Sequence, residues 1–132
     1  MGIVVVDDDD DIRDAVREVL QQEGYSTEGA RNGEEALRLL RGSEDRPCLI
    51  LLDLMMPVMD GWEFLTQIDD EPTLHRIPVA IMSAHPSIRR AFDKGRGKDV
   101  STRLLLPKPL NLLRLLSVVH NVCSCGATAP VH

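Results

Sequence analysis

The run Cys48-Leu49-Ile50-Leu51-Leu52 ends on Asp53 and is followed by Leu54-Met55-Met56-Pro57-Val58-Met59-Asp60-Gly61. A short continuous apolar run bounded by turn residues reads as a strand buried on both faces, the kind found in parallel sheets covered by helices. In an open sheet of that type, ligands and chemistry sit just beyond the carboxyl ends of the strands, where Asp53 falls.

A second apolar run, Ile3-Val4-Val5-Val6, ends in Asp7-Asp8-Asp9-Asp10-Asp11. Two neighbouring strands ending this way bring three or more carboxylates into one pocket, and that density of negative charge needs a cation. Carboxylate oxygens without nitrogen or sulfur ligands suit Mg²⁺, with Mn²⁺ as a substitute. Mg²⁺ takes one or two carboxylates and completes its octahedron with water and phosphate oxygens. Asp7 and Asp8 abut the strand and are assigned to the pocket. Asp9, Asp10 and Asp11 read as a solvated loop that partly caps the next helix, with Asp11 or Asp10 as the N-cap.

Two further strand-like runs end in functional groups. Pro78-Val79-Ala80-Ile81-Met82 leads into Ser83-Ala84, and Leu104-Leu105-Leu106 leads into Pro107-Lys108-Pro109. Alone, a serine after a strand is usually a turn residue and a lysine a solvated charge. In this order they gather carboxylates, a hydroxyl and an ammonium at one edge of one sheet.

As a set these residues resemble the receiver domain of two-component response regulators. Val6-Asp7-Asp8, Asp53 with Met56-Pro57, Met59-Asp60-Gly61, Ser83-Ala84 and Lys108-Pro109 stand in that family's order, from about Ile3 to Val122. The spacing is close to the family's except before the lysine. Strand signals alternate with helical stripes: Ile12, Val16, Val19 and Leu20 with Gly24 as a stop; Ala36, Leu37 and Leu40 behind a cap at Asn32; Trp62, Leu65 and Ile68. A last stripe, Leu112, Leu115, Leu116, Val119 and Val122, begins near Asn111. Alternating strands and helices predict an α/β fold, a doubly wound five-stranded parallel sheet with helices on both faces. The resemblance makes it flavodoxin-like, with strand order 2-1-3-4-5.

The resemblance also implies roles. Asp53 is the phosphoacceptor, taking a phosphoryl group from a sensor histidine kinase or phosphotransfer protein, with Lys108 and Ser83 on the phosphoryl oxygens. Asp8, Asp53 and the Met55 backbone carbonyl hold Mg²⁺, and Asp7 holds it through water. Ser83, Ala84 and Leu105 form the switch; many receivers carry an aromatic residue where this chain has Leu105. Met55 and His85 border the route of the water that removes the phosphoryl group, and Pro57, Gly61 and Pro109 are structural. Such a domain catalyses only its own phosphorylation and dephosphorylation and is not otherwise an enzyme. It acts on an unidentified downstream protein through its fourth helix, last strand and last helix. Two other readings compete. One is a receiver-like interaction module that works without phosphorylation. The other is a haloacid-dehalogenase-like phosphatase, disfavoured because Met55 occupies the place of its second aspartate.

Composition agrees. At 132 residues the chain fits one domain able to bury about two-thirds of its unfolded surface. We expect a receiver at 1–122 and a short, flexible tail at 123–132, too short for an effector domain. A net charge of −6 argues against direct nucleic-acid binding across the surface. The first strand is followed by aspartates rather than a glycine-rich phosphate loop. Neither a membrane span nor a signal peptide is evident, which makes the cytoplasm the expected location. Within this acidic chain, 86–103 carries a net +4, read as a solvated variable loop or else a basic docking surface. Cys48 reads as a buried small hydrophobe and Cys123 and Cys125 as tail residues. All three are expected to be free thiols, with zinc at His120, Cys123, Cys125 and His132 disfavoured by spacing.

Overall fold

The four apolar runs and the segment Thr27–Ala30 become strands of one sheet: β1 (Ile3–Val6), β2 (Thr27–Ala30), β3 (Leu49–Asp53), β4 (Val79–Ser83) and β5 (Arg103–Pro107). The structure is a computed structural model that describes residues 2–54, 56, 58–83, 103–108 and 110–124. All strand pairs are parallel and the order is β2-β1-β3-β4-β5, as expected. The described helices are α1 (Asp10–Gln22), α2 (Gly33–Arg41), α3 (Gly61–Asp69) and α4 (Leu112–Ser124). The helix the resemblance implies before β5 and the basic segment as far as 102 lie outside the described residues, and Arg103, the last residue of that segment, opens β5.

Successive strand residues point to opposite faces, and both faces are covered. Val4, Val6, Ile50, Leu52, Val79 and Ile81 pack against Leu37 and Leu40 of α2 and Phe64, Leu65 and Ile68 of α3. Ile3, Val5, Leu49, Leu51, Ala80 and Met82 pack against Val16 and Leu20 of α1 and Leu115 and Val119 of α4. Burying each such aliphatic side chain stabilises the fold by roughly 1.5–3 kcal/mol.

The helix ends are set by local chemistry. The Asp9 carboxylate accepts from the backbone N–H groups of Asp11 (3.0 Å) and Ile12 (3.2 Å), so Asp9 is the N-cap of α1. This corrects the assignment to Asp10 or Asp11, whose backbones are already helical. At the other end Gly24 adopts φ 93°. Its N–H donates to Gln21 O (3.0 Å) and that of Tyr25 to Leu20 O (3.1 Å), the Schellman arrangement that glycine makes affordable. Asn32, Asp60 and Asn111 cap α2, α3 and α4 through Glu35 N, Glu63 N and Arg114 N.

Two expectations about the C-terminal region fail. Cys123 lies inside α4 rather than in a tail, and it forms a disulfide with Cys48, the two Cα atoms 5.2 Å apart. Neither is a free thiol, and Cys123 has no thiolate to offer zinc. Residues separated by 75 positions meet only because α4 packs along β3. Closing so long a loop stabilises by about 4 kcal/mol on the chain-entropy account. Leu112 is half exposed in the first turn of α4, whereas Leu115, Val119 and Cys123, four residues apart, form the buried row.

Candidate functional site

β1 and β3 are neighbours with Val6 opposite Leu52, so the next residue of each chain direction, Asp7 and Asp53, emerges at the same sheet edge. Asp7 is fully buried and Asp53 is 7% exposed, while Asp8 faces solvent. Carboxylate oxygens from all three lie within 4.8 Å of one another. Lys108, one residue past β5, brings its Nζ to 3.5 Å from Asp7 Oδ2 and 3.7 Å from Asp53 Oδ1. Three carboxylates facing one ammonium leave the cluster about two charges negative, and buried carboxylates are costly unless charge or hydrogen bonds compensate them.

The compensation is incomplete. Asp7 Oδ1 accepts from Asp9 N at 2.9 Å, but Asp7 Oδ2 is buried and accepts no hydrogen bond among the described residues. An oxygen-only donor set with an under-compensated buried oxygen fits a hard dication that keeps part of its water. The turn bearing the aspartates is braced from α1. Arg13 Nη1 donates to Asp7 O at 2.9 Å, and the same guanidinium pairs with the Asp10 carboxylate. Gly29 of β2 leaves room for this brace, since a Cβ there would sit 3.2 Å from Arg13 Cδ.

Beyond Asp53 the chain must reverse quickly into α3. Gly61 N donates to Leu54 O at 2.9 Å, and a Cβ on Gly61 would fall 2.7 Å from Leu54 Cα and 3.0 Å from Asp53 O. Only glycine allows that approach. Gly33 N donates to Met59 O (3.1 Å), tying the loop to the start of α2. Val58 carries φ 69° and is 73% exposed. A β-branched residue in this left-handed region stores strain in the loop between β3 and α3.

Comparison with known proteins decides the family. Residues 3–120 match the profile of the response regulator receiver domain. The chain belongs to that family. It is 38% identical over 115 residues to the response regulator MprA of Mycolicibacterium vanbaalenii, covering 87% of this chain and 47% of that protein. It is 38% identical over 117 residues to MprA of Mycobacterium avium, covering 89% and 48%. The chain thus spans about half the length of these curated relatives. Among solved structures, it resembles the Vibrio cholerae chemotaxis protein CheY4 with TM-score 0.78 and 32% identity, over 92% of this chain and 97% of that one. It also resembles the receiver domain of a Syntrophus aciditrophicus signal transduction histidine kinase, with TM-score 0.79 and 28% identity, over 100% and 97%.

In this receiver domain the sheet edge gathers Asp7, Asp8, Asp53 and Lys108, which are far apart in sequence. Ser83 ends β4 in register with Pro107 of β5. Leu105 is half-buried in β5 against the α2 and α3 side of the core, opposite Ile81. Met55, Pro57, Ala84, His85 and Pro109 lie outside the described residues. The sequence reading passed over Arg13, although an arginine three residues after Asp10 on the first helix is a recognisable (i, i+3) partner. No helix among the described residues is long and apolar enough to cross a membrane.

Proposed function

We propose that this receiver domain accepts a phosphoryl group on Asp53 from the phosphohistidine of a sensor histidine kinase or phosphotransfer protein, in a Mg²⁺-dependent reaction, and that phosphorylation switches a protein-interaction surface. The observation that carries the reading is the meeting of Asp53 with Asp7, Asp8 and the Lys108 ammonium in one pocket.

An Asp53 carboxylate oxygen attacks phosphorus, the P–N bond to the donor imidazole breaks, and the histidine leaves with the bonding pair and picks up a proton. The product is an acyl phosphate. Asp8, Asp53 and the Met55 carbonyl would hold Mg²⁺ directly, with Asp7 holding it through water. When bound, the ion neutralises charge on the transferring oxygens. Lys108 starts between Asp7 and Asp53 and turns its ammonium to a phosphoryl oxygen, a charge-assisted contact. Ser83 serves a further oxygen, and this bond, made only when the phosphoryl group is present, biases the switch. The output surface is assigned to β5, α4 and the segment between β4 and β5. Its downstream protein is read by contact rather than through nucleic acid or membrane.

Phosphoramidate, a small donor with a phosphorus–nitrogen bond, tests the chemistry. With Mg²⁺ it should add a phosphoryl group that hydroxylamine removes, and EDTA should prevent the reaction. A hydroxylamine-resistant product, or labelling that EDTA leaves unchanged, contradicts the reading.

A further inference from the structure

We propose that Cys48 and Cys123 form a reversible redox site, a thiol–disulfide pair that fastens the last turn of α4 to the start of β3. The Cα separation of 5.2 Å falls in the range that a disulfide spans without moving backbone. Cys48 immediately precedes β3, and its N–H donates to Gly2 O at 2.8 Å, so one half of the pair sits on fixed backbone. Cys123 is the penultimate residue of α4. The fully buried residues of α4, Leu115 and Val119, lie in its N-terminal part, and among the described residues past them the half-buried Val122 and Cys123 itself join the sheet-side core. The bridge is therefore a covalent anchor for this helix end.

The chemistry balances with a dithiol as reductant. Its thiolate attacks the sulfur of Cys48, the less buried of the two. The Cys48–Cys123 bond breaks, Cys123 leaves as a thiolate and takes a proton from water, and a mixed disulfide forms on Cys48. The second thiol of the reductant then closes its own disulfide and releases Cys48. Oxidation by a small disulfide reverses the sequence. A reducing compartment holds such a pair open and an oxidising one closes it.

The consequence is local. Cys48 and Asp53 lie at opposite ends of β3, roughly 16 Å apart at about 3.3 Å per residue. The pair thus governs the order of α4 without reshaping the acidic pocket. Only its value for signalling rests on the proposed output surface; the redox chemistry stands without it.

The test uses the full chain in glutathione buffers of graded ratio, with free thiols counted by alkylation and mass spectrometry. Wild type and Cys125→Ser should each lose two thiols at the same buffer ratio, whereas Cys123→Ser and Cys48→Ser should not pair internally. Internal pairing in Cys123→Ser at the wild-type ratio, through Cys125, overturns the assignment, as does a wild type that retains all its thiols. Hydrogen exchange provides the second readout on unmutated protein. Amides of 118–124 should exchange at least tenfold faster after reduction, while those of 3–6 and the Mg²⁺ affinity stay unchanged. Equal exchange at 118–124 in both states, or a parallel change in Mg²⁺ affinity, overturns the latch.

Discussion

The ammonium of Lys108 stands 3.5 Å from Oδ2 of Asp7, a buried oxygen that accepts no hydrogen bond among the described residues. Lys108 is thus a counter-charge for the resting pocket as well as a proposed phosphoryl ligand. Replacing it by methionine leaves two buried carboxylates less compensated. In EDTA, Lys108→Met should lower unfolding free energy by about 1–3 kcal/mol, measured by urea denaturation. Mg²⁺ should bind this variant more tightly than wild type, because the repelling ammonium is gone. Unchanged stability with weaker Mg²⁺ binding would contradict the geometry.

The five aspartates after β1 are chemically identical but differently placed. Asp8 shares the cluster with Asp7 and Asp53, whereas Asp10 pairs with Arg13. Titration calorimetry should show Mg²⁺ binding weakened at least about tenfold in Asp8→Ala and far less in Asp10→Ala. Equal losses would mean that the run attracts ions diffusely.

Arg13 acts on the pocket through the backbone of Asp7. Arg13→Met should loosen the turn and weaken Mg²⁺ binding by about threefold to tenfold, by analogy with other outer-shell losses. Arg13→Lys should recover only part of this, since a lysine lacks the planar fork that reaches Asp7 O and the Asp10 carboxylate together. Wild-type affinity in Arg13→Met would show that the brace is dispensable.

Gly61 is fixed by contact rather than by chemistry. A methyl group there meets Leu54 Cα at 2.7 Å, within backbone that cannot swing aside. Gly61→Ala should destabilise by about 1–3 kcal/mol, seen as a lower thermal midpoint. A midpoint equal to that of wild type would mean that the β3–α3 loop relaxes freely.

Much of this was legible because it is local. Strand runs, the glycine stop at Gly24, the cap at Asn32 and the start of the last helix near Asn111 depend on neighbours within a few residues, and the strand-end motifs fall at one edge once the sheet order is known. The N-cap was misplaced by one or two residues because five identical side chains carry no signal of their own. Which carboxylate reaches the free N–H groups depends on where the backbone leaves β1. The disulfide was missed for a different reason. Cys48 and Cys123 have no local relationship, and the flexible-tail reading of Cys123 hid the row it shares with Leu115 and Val119. The (i, i+3) spacing of Arg13 from Asp10 is readable, but its bond to the Asp7 carbonyl, the contact that braces the pocket, leaves no mark in sequence.

The central claim is that Asp53 is the phosphoacceptor, and the intact mass of the protein before and after acetyl phosphate with Mg²⁺ tests it most directly. The account predicts the addition of one phosphoryl group in wild type and none in Asp53→Asn. Undiminished addition in Asp53→Asn would contradict it.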